Sequence, residues 1–318
     1  MIKKIAILTS GGDCPGMNVA LKAIVNAAIN NNIEPYVVFE GYKGLYDNNF
    51  EKITKEEVKF IDRKGGTVIY SARFPQFKEL EIRKQAVNNL KAEGIEALIC
   101  IGGDGTYMGA AKLTEMGIKT IALPGTIDND ISSTDYTIGF NTALETIVRA
   151  VDNLRDTSES HNRINLVEVM GHGCGDLAIN AAIITGAEVL STPERKLDVK
   201  QIIEKLKKSD SKRSKIVMIS EYIYKDLNKV AQEIEKATGQ ETKATILGHI
   251  QRGGSANPIE RLLTIRMANY AIKMLIKGKN GVAVNITDNK LNTKDILEIV
   301  KMKRPSKEEL LKEYDKSI

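Results

Sequence analysis

The stretch IAILTSGGDCPGMN, residues 5–18, decides the fold class of this 318-residue chain. Apolar residues at 5–8 are followed by a glycine-rich turn at 10–13. Beyond the turn, apolar residues recur at spacings of three and four, at Leu21, Ile24, Val25, Ala28 and Ile29. That spacing predicts one face of a helix. The stretch is therefore predicted to be a buried strand, a turn and a helix, the unit from which parallel α/β folds are built.

The same alternation continues along the chain. Further strands are predicted at 97–101, 119–123, 164–169, 216–220, 245–247 and 282–286, with a charged helix at 306–314. Helices between successive strands indicate an α/β fold of mainly parallel sheets sandwiched by helices. Because single hydrophobic cores stop growing near roughly 250–300 residues, we expect two lobes. We predict that they comprise residues 1–139 plus 254–303 and residues 140–253 plus 304–318.

Composition excludes several classes of protein. A net charge of +5 from 46 basic and 41 acidic residues, without a long block of one sign, does not indicate a nucleic-acid partner. The cysteines are odd in number and widely spaced, which argues against disulfides and zinc and indicates a reducing compartment. The N-terminal apolar run stops at Thr9, and no apolar stretch approaches the ~18 residues of a membrane span. We therefore expect a cytoplasmic protein without a membrane partner.

The loop after the first strand could receive phosphate. Gly11 and Gly16 have the spacing of a phosphate loop, but Met17 and Asn18 stand where that loop needs Lys and Ser or Thr. What the loop offers is backbone N–H groups at a helix N-terminus, which can bind phosphate oxygens. A purely structural turn is an equally good interpretation.

The second loop is Gly102-Gly103-Asp104-Gly105-Thr106, and Gly109 falls one place too late for a dinucleotide fingerprint. Its glycines would let the backbone approach a polyphosphate. Asp104 could supply the carboxylate that Mg²⁺ prefers beside substrate phosphates. The alternative is an ordinary Asp in a glycine turn.

The third loop is PGTIDNDI, residues 124–131. If the segment is extended, Asp128 and Asp130 point the same way. One could accept a proton from a sugar hydroxyl, while the other acts through a metal or orients its partner. A tight Asx turn explains the same residues equally well.

Basic residues also fall near predicted strand ends, at Arg73, Arg163, Lys243 and in the run HIQRGG at 249–254. A single arginine is usually a solvated surface residue. Gathered on strand-end loops, these residues would suit a substrate that carries a phosphate dianion.

The chain resembles the bacterial 6-phosphofructokinase family along about its whole length. The resemblance is carried by segments in the family's order and spacing: TSGGDCPGMN (9–18), YSARFPQF (70–77), IGGDGTYMGA (101–110), LPGTIDNDI (123–131), DYTIGFNTAL (135–144), SESHNRI (158–164), VEVMG (167–171) and LGHIQRGG (247–254). It implies ATP-dependent phosphorylation of fructose 6-phosphate at the 1-hydroxyl, a step of glycolysis. It also implies a homotetramer, with Mg²⁺-ATP in the first lobe and the sugar phosphate in the second.

The resemblance also implies roles for individual residues. The ATP site would comprise Gly12, Arg73, Phe74, Gly103, Asp104, Gly105 and Thr106, with Asp104 at the Mg²⁺. Asp128 would be the general base, with Thr126, Asp130 and Arg73 as its catalytic neighbours. The sugar phosphate would contact Thr126, Ile127, Asp128, Met170, Gly171, His172, Glu221, His249, Ile250, Gln251 and Arg252, and Arg163 and Lys243 would reach it from an adjacent subunit.

Some positions bear on the donor and on regulation. Pyrophosphate-dependent relatives carry side chains where this chain has Gly105 and Gly125, so the resemblance implies ATP as the donor. His172 and Lys243 each stand where the family usually has Arg, and a neutral imidazole cannot replace a permanently charged guanidinium. A weakly active regulatory paralogue and a pyrophosphate-dependent enzyme are the alternative hypotheses.

The resemblance further implies an effector site between subunits, for a nucleoside diphosphate as activator and phosphoenolpyruvate as inhibitor. Its residues would be Lys22, Asn26, Lys55, Arg155, Gly186, Ala187, Glu188 and Lys212. Asn26 stands where the family has Arg, so we expect weakened or altered control.

Overall fold

A computed structural model describes residues 2–304 and 306–318 of the chain, which divides into two compact units. Unit 1 comprises Met1–Thr142 and Arg252–Arg304, and unit 2 comprises Ala143–Gln251 and Pro305–Ile318. These bounds differ by a few residues from those that we expected from the sequence. The ligands that we assign to the two lobes stay predictions.

Unit 1 alternates strands and helices. Its elements are β1 (Lys4–Ser10), α1 (Met17–Asn30), β2 (Glu34–Val38), α2 (Gly41–Asp47), β3 (Phe50–Lys52), α3 (Leu80–Ala92), β4 (Ala97–Gly102), α4 (Asp104–Glu115), β5 (Lys119–Thr126) and β6 (Ile138–Gly139). The long helix α5 (Phe140–His161) begins here and continues into unit 2. The chain returns to unit 1 with α9 (Pro258–Ile276), β11 (Val282–Thr287), β12 (Lys290–Asp295) and α10 (Ile296–Ile299).

Within the described part of unit 1, the strands form one eight-stranded sheet in the order β12-β11-β5-β4-β1-β2-β3, with β6 on β5. The central pairs are parallel, and the antiparallel pairs β2–β3 and β11–β12 lie at the two edges. Every residue of β4, ALICIG, is buried, because helices cover both faces of a parallel sheet.

Unit 2 is smaller and also alternates strands and helices. Its further elements are β7 (Ile164–Val169), α6 (Asp176–Thr185), β8 (Val189–Ser191), α7 (Val199–Lys208), β9 (Lys215–Ser220), α8 (Leu227–Thr238), β10 (Thr242–Ile246) and α11 (Glu308–Ser317). The sheet that these described strands form is all parallel, in the order β10-β7-β9-β8. Its core includes Ile164, Leu166, Val217 and Ile234.

The predicted fold class is confirmed, since both units are mainly parallel sheets flanked by helices. The strand predicted at 245–247 is displaced, because β10 spans Thr242–Ile246 and begins with polar residues that the apolar pattern could not reveal. The strands β2, β3, β6, β8 and β12 were also missed: β3, β6 and β8 have at most three residues each, and β12 is mainly polar. No helix in the described ranges is both long enough and apolar enough to span a bilayer.

Candidate active site

Three strand-end loops of unit 1 lie side by side. In the sheet register, Ser10 at the end of β1 pairs with Gly102 of β4, which pairs with Pro124 of β5. The hydroxyl of Thr106 donates to the carbonyl of Ser10 at 2.9 Å, which ties the second loop to the first. Because carboxyl ends of neighbouring parallel strands meet at one edge, this is where a ligand site is expected.

The first loop owes its shape to glycine. Gly11 and Gly16 have φ of 85° and 100°, a region that other residues rarely adopt. The guanidinium of Arg252, also in unit 1, lies so close to Gly12 that a methyl group there would overlap it. The Arg252 Nε is buried and has no hydrogen-bond partner among the described residues. A buried cationic donor without a partner fits an anionic ligand.

Arg73 and Phe74 belong to the segment beside this loop. The hydroxyl of Ser71 donates to the carbonyl of Gly11 at 2.6 Å, which holds the segment against the first loop. The Arg73 side chain is exposed, and the Phe74 ring tilts against Tyr46 at a centroid distance of 5.8 Å. Phe74 is therefore anchored, while Arg73 can turn toward a ligand.

The second loop is shorter than we expected from the sequence. The turn was predicted over 102–105, but α4 already begins at Asp104, with Gly103 as its N-cap. The N–H of Thr106 donates to the carbonyl of Gly103 at 2.9 Å, which starts the helix early. Asp104 and Gly105 are exposed in the first turn, where the helix dipole and N–H groups favour an anion.

The two glycines that bear on the donor differ in their surroundings. A Cβ built at Gly105 meets no atom of the described chain within 4 Å, so packing does not require glycine there. A Cβ at Gly125 would lie 3.0 Å from Ile101 Cγ2 and 3.1 Å from the Gly102 nitrogen, so β4 itself restricts that position. Only Gly105 leaves room that a ligand could use.

The third loop is a turn, which is one of the two conformations that the sequence left open. β5 ends at Thr126, and Asn129 has φ of 50°, so alternation of side chains does not apply. The hydroxyl of Thr126 donates to the Asp128 carboxylate at 3.3 Å and accepts the N–H of Asp128 at 3.2 Å. Thr126 thus orients Asp128, which is half-buried, while Ile127 is packed in the core.

Asp130 shares a counter-ion with Asp104. Nη2 of Arg304 lies 2.8 Å from Asp130 Oδ2 and 3.6 Å from Asp104 Oδ2. Burial, with the negative charges of Asp104 and Asp128, raises the pKa of Asp130 to about 6. The sequence did not single out Arg304, since it lies within the basic run 301–304 and far along the chain.

The donor set fits a divalent cation that also binds phosphate. In the described ranges, no group of three or more His, Cys, Asp or Glu side chains is arranged to hold a metal. Mg²⁺ is nevertheless bound by one or two carboxylates when substrate phosphates complete its shell. Asp104 and Asp130, which both lie near the same nitrogen of Arg304, are two such carboxylates. Asp104, the predicted ligand, is the exposed member of this pair.

In unit 2 a second cluster lies at the carboxyl ends of β7, β9 and β10. Oε1 of Glu221 accepts the N–H of Gly171 at 3.3 Å and that of His172 at 2.9 Å. The N–H of Met170 donates to Gln251 Oε1 at 3.1 Å. These predicted substrate residues from three separate loops are therefore brought together.

Two more predicted residues belong to the same edge. His249 and Ile250 are exposed in the 3₁₀ turn Gly248–Arg252 that follows β10. The side chain of Gln251 is fully buried and also donates to the carbonyl of Gly248 at 2.9 Å. Gln251 therefore fixes the turn that presents His249 and Ile250.

Arg163 and Lys243 lie apart from this cluster. Arg163 immediately precedes β7, and Lys243 is the second residue of β10, whereas the cluster follows the opposite strand ends. A six-residue strand spans about 20 Å. Both cations pair with Glu241, at 2.6 and 3.1 Å, and the Arg163 and Lys243 hydrogen bonds lower the pKa of Glu241. One chain does not bring them to its own cluster, and their service to an adjacent subunit stays a prediction.

The predicted effector residues fall in two groups, one in each unit. In unit 1, Lys22 and Asn26 line a cavity of about 300 Å³, and Lys22 Nζ lies 2.8 Å from Asp62. Lys55 donates to the side chain of Asn30, which lies on α1, the helix that also carries Lys22 and Asn26. The charge of Lys22 is thus partly compensated within the chain.

In unit 2, Arg155 lies 3.0 Å from Glu188 and donates to the carbonyl of Gly186 at 3.1 Å. Ala187 is buried, and its carbonyl accepts the hydroxyl of Tyr314 at 2.8 Å. Lys212 is exposed. The effector assignment stays a prediction for both groups.

Sequence reasoning also missed Glu260, in the first turn of α9. Its side chain is fully buried, and its Oε2 accepts the N–H of Thr142 at 3.2 Å, near the start of α5. Burial raises the pKa of Glu260 to about 7. An acidic residue two places after Pro258 had been unremarkable, because such residues are common in first turns.

Comparison with known proteins gives a consistent result. A family model described as Phosphofructokinase matches residues 4–275. The ATP-dependent 6-phosphofructokinase of Vibrio cholerae serotype O1 is 50% identical over 315 residues, which cover 98% of this chain and 98% of that protein. The ATP-dependent 6-phosphofructokinase of Vibrio campbellii is 51% identical over 313 residues, again 98% of each chain.

A solved structure with a similar fold is also a phosphofructokinase. Phosphofructokinase from Saccharomyces cerevisiae is similar with a TM-score of 0.87 and 34% identity, over 99% of this chain and 48% of the yeast chain. The present chain thus spans about half the length of the yeast chain. The resemblance inferred from the sequence motifs is confirmed.

Proposed function

This chain belongs to the phosphofructokinase family, and we propose that it transfers the terminal phosphoryl group of ATP to the 1-hydroxyl of fructose 6-phosphate. The products are fructose 1,6-bisphosphate and ADP. A new bond joins the sugar oxygen to phosphorus, the bond to the β-phosphate oxygen breaks, and the hydroxyl proton passes to the protein.

One observation carries the proposal on the structural side. The helix start at Asp104 and the turn from Thr126 to Asp128 follow the neighbouring strands β4 and β5. The first offers N–H groups for phosphate, and the second offers an oriented carboxylate. Phosphoryl transfer depends on positioning and charge stabilisation, and adjacent strand ends supply both.

Asp128 is the base in this proposal. Thr126 holds its carboxylate through the hydroxyl hydrogen bond, so the carboxylate meets the sugar hydroxyl in a defined direction. Proton removal as the oxygen attacks phosphorus makes that oxygen a better nucleophile.

The negative charge of the phosphates is stabilised by the first turn of α4 and by Arg73. The N–H groups and the helix dipole favour the anion. The guanidinium of Arg73 is permanently charged and can donate two parallel hydrogen bonds to a phosphate. Mg²⁺, which we assign to Asp104, would neutralise part of the phosphate charge when bound.

ATP is the preferred donor in this proposal because Gly105 leaves open space at the helix start. We assign the sugar phosphate to the unit 2 cluster of Met170, Gly171, His172, Glu221, His249, Ile250 and Gln251. Arg252, which lies beside Gly12 within unit 1, stays a predicted contact of an anionic ligand. The homotetramer with shared sites and the two effectors also belong to the proposal. A cytoplasmic location is supported by the buried free thiols of Cys14, Cys100 and Cys174.

A coupled assay for fructose 1,6-bisphosphate tests the function. We expect product formation that requires fructose 6-phosphate, ATP and Mg²⁺, with pyrophosphate a much poorer donor. Equal rates with pyrophosphate would support the pyrophosphate-dependent alternative. Absence of product at millimolar substrates, with nucleotide binding intact by calorimetry, would support the regulatory paralogue that His172 suggests.

A further inference from the structure

A single nitrogen atom links two carboxylates in unit 1. Nη2 of Arg304 is within ion-pair distance of both Asp130 and Asp104, at 2.8 and 3.6 Å. These carboxylates come from different strand ends, since Asp104 starts the helix after β4 and Asp130 follows β5. The positive charge of Arg304 therefore reduces the repulsion between the two carboxylates, as a bridging metal cation would.

The two contacts differ in strength. The Asp130 side chain is 5% exposed and that of Asp104 is 60% exposed. A buried carboxylate needs a counter-ion, so the short contact with Asp130 is the firm one. The longer contact with exposed Asp104 is screened by water and is weak. A competing cation would therefore displace Arg304 from Asp104 first.

The surroundings leave room for such an exchange. Asp104, Asp130, Ser132 and Arg304 line a cavity of about 220 Å³, whose other wall is apolar. The Arg304 side chain is 37% exposed, so water reaches its guanidinium.

We propose that Arg304 is a built-in competitor of the divalent cation. It lies between Asp104 and Asp130 while the nucleotide site is empty and yields Asp104 when the cation arrives with its phosphates. Arg304 is thus a positioning residue, which keeps the two carboxylates close and lowers the affinity for a cation that comes without nucleotide. The inference rests on the proposed function only in taking Asp104 as the cation ligand.

The experiment measures Mn²⁺ binding to the full chain without nucleotide or sugar, by electron paramagnetic resonance of free Mn²⁺ at pH 8.5. Mn²⁺ favours the same oxygen ligands as Mg²⁺. Removing one positive charge at about 4 Å from a divalent cation in a water-like dielectric is expected to tighten binding about 30-fold in Arg304→Met. Arg304→Lys, which keeps the charge without the fork, should lie between that variant and wild type.

Lys112→Met is the matched control. It removes one positive charge from α4, the helix that carries Asp104, but its partner is Glu115 at 2.8 Å. We expect its Mn²⁺ affinity to equal that of wild type. Equal or weaker binding in Arg304→Met, or no Mn²⁺ binding to that variant at 10-fold excess over the wild-type dissociation constant, would overturn the proposal.

If Arg304→Met fails to fold, Arg304→Lys decides by itself, because it must bind Mn²⁺ more tightly than wild type. The measurement involves no turnover. Failure of the phosphofructokinase assay would therefore leave the Mn²⁺ result unaffected, and an unchanged Mn²⁺ affinity would leave the proposed reaction intact.

Discussion

The backbone N–H of His172 donates to the carboxylate of Glu221 at 2.9 Å. His172 follows β7 and Glu221 follows β9, so this hydrogen bond joins the ends of two neighbouring strands. His172 has φ of 46°, a left-handed conformation that side chains other than glycine adopt at a cost. The position of the residue is therefore set by its backbone, and the side chain is exposed and exchangeable.

Replacing His172 by Arg should strengthen binding of the sugar phosphate. Both residues pay the same backbone cost, and Arg adds a permanent charge and a fork donor for phosphate. We expect a KM for fructose 6-phosphate about 10-fold lower, with kcat little changed, in steady-state kinetics. His161→Arg, the same exchange at the exposed end of α5, is the control. An unchanged KM would show that His172 lies away from the phosphate.

Asp128→Asn should leave binding intact and slow the reaction. Asparagine keeps the shape of the side chain and its hydrogen bond from Thr126, but it cannot take the proton. Loss of a general base is expected to lower kcat by roughly 10²–10⁴ with little change in the KM for ATP. Asp152→Asn, on the exposed face of α5, should be without effect. A wild-type kcat in Asp128→Asn would remove the residue from its role.

Gly105→Asp should separate folding from nucleotide binding. The open space at Gly105 accepts a side chain, and an acidic residue in the first turn of α4 favours the helix. The melting temperature should therefore not fall, whereas the added carboxylate should repel the triphosphate and raise the dissociation constant for ATP at least about 10-fold. Gly105→Ala tests size without charge. A lowered melting temperature, or unaltered ATP affinity by calorimetry, would contradict this account.

Glu260 should make stability depend on pH. Its pKa rises from 4.5 to about 7 on folding, so the folded state binds the proton more tightly than the unfolded state. The contribution of Glu260 to the free energy of unfolding should then be largest below pH 4.5, fall as pH rises through about 7, and be lost above that. Glu260→Gln removes this fall, since Gln is neutral at every pH and still accepts the N–H of Thr142.

Urea unfolding of both proteins at pH 5 and pH 8 checks this. The difference between wild type and Glu260→Gln should change by about 2–3 kcal/mol between the two pH values. Glu115→Gln, on the surface of α4, should show no such change. Parallel curves for wild type and Glu260→Gln would indicate that Glu260 is not protonated in the folded chain.

Local patterns predicted the elements that are long and apolar. β7 was predicted at the bounds that it has, because four of its six residues are apolar and the segment lies between Arg163 and the turn at Gly171. β10 was displaced and the shortest strands were missed, since their pairing comes from neighbours in the sheet and not from their own sequence pattern. The turn at Asp128 was open between two conformations, and the left-handed Asn129 decided it.

By itself, the sequence determined the α/β class, the family and the segments that carry glycine turns and carboxylates, because periodicity and motif spacing are properties of neighbouring residues. Only the tertiary structure decided which of these side chains meet. Arg304 lies 174 positions from Asp130, and Glu260 lies 118 positions from Thr142. Such contacts arise from the packing of the whole sheet and its helices, so no local pattern encodes them.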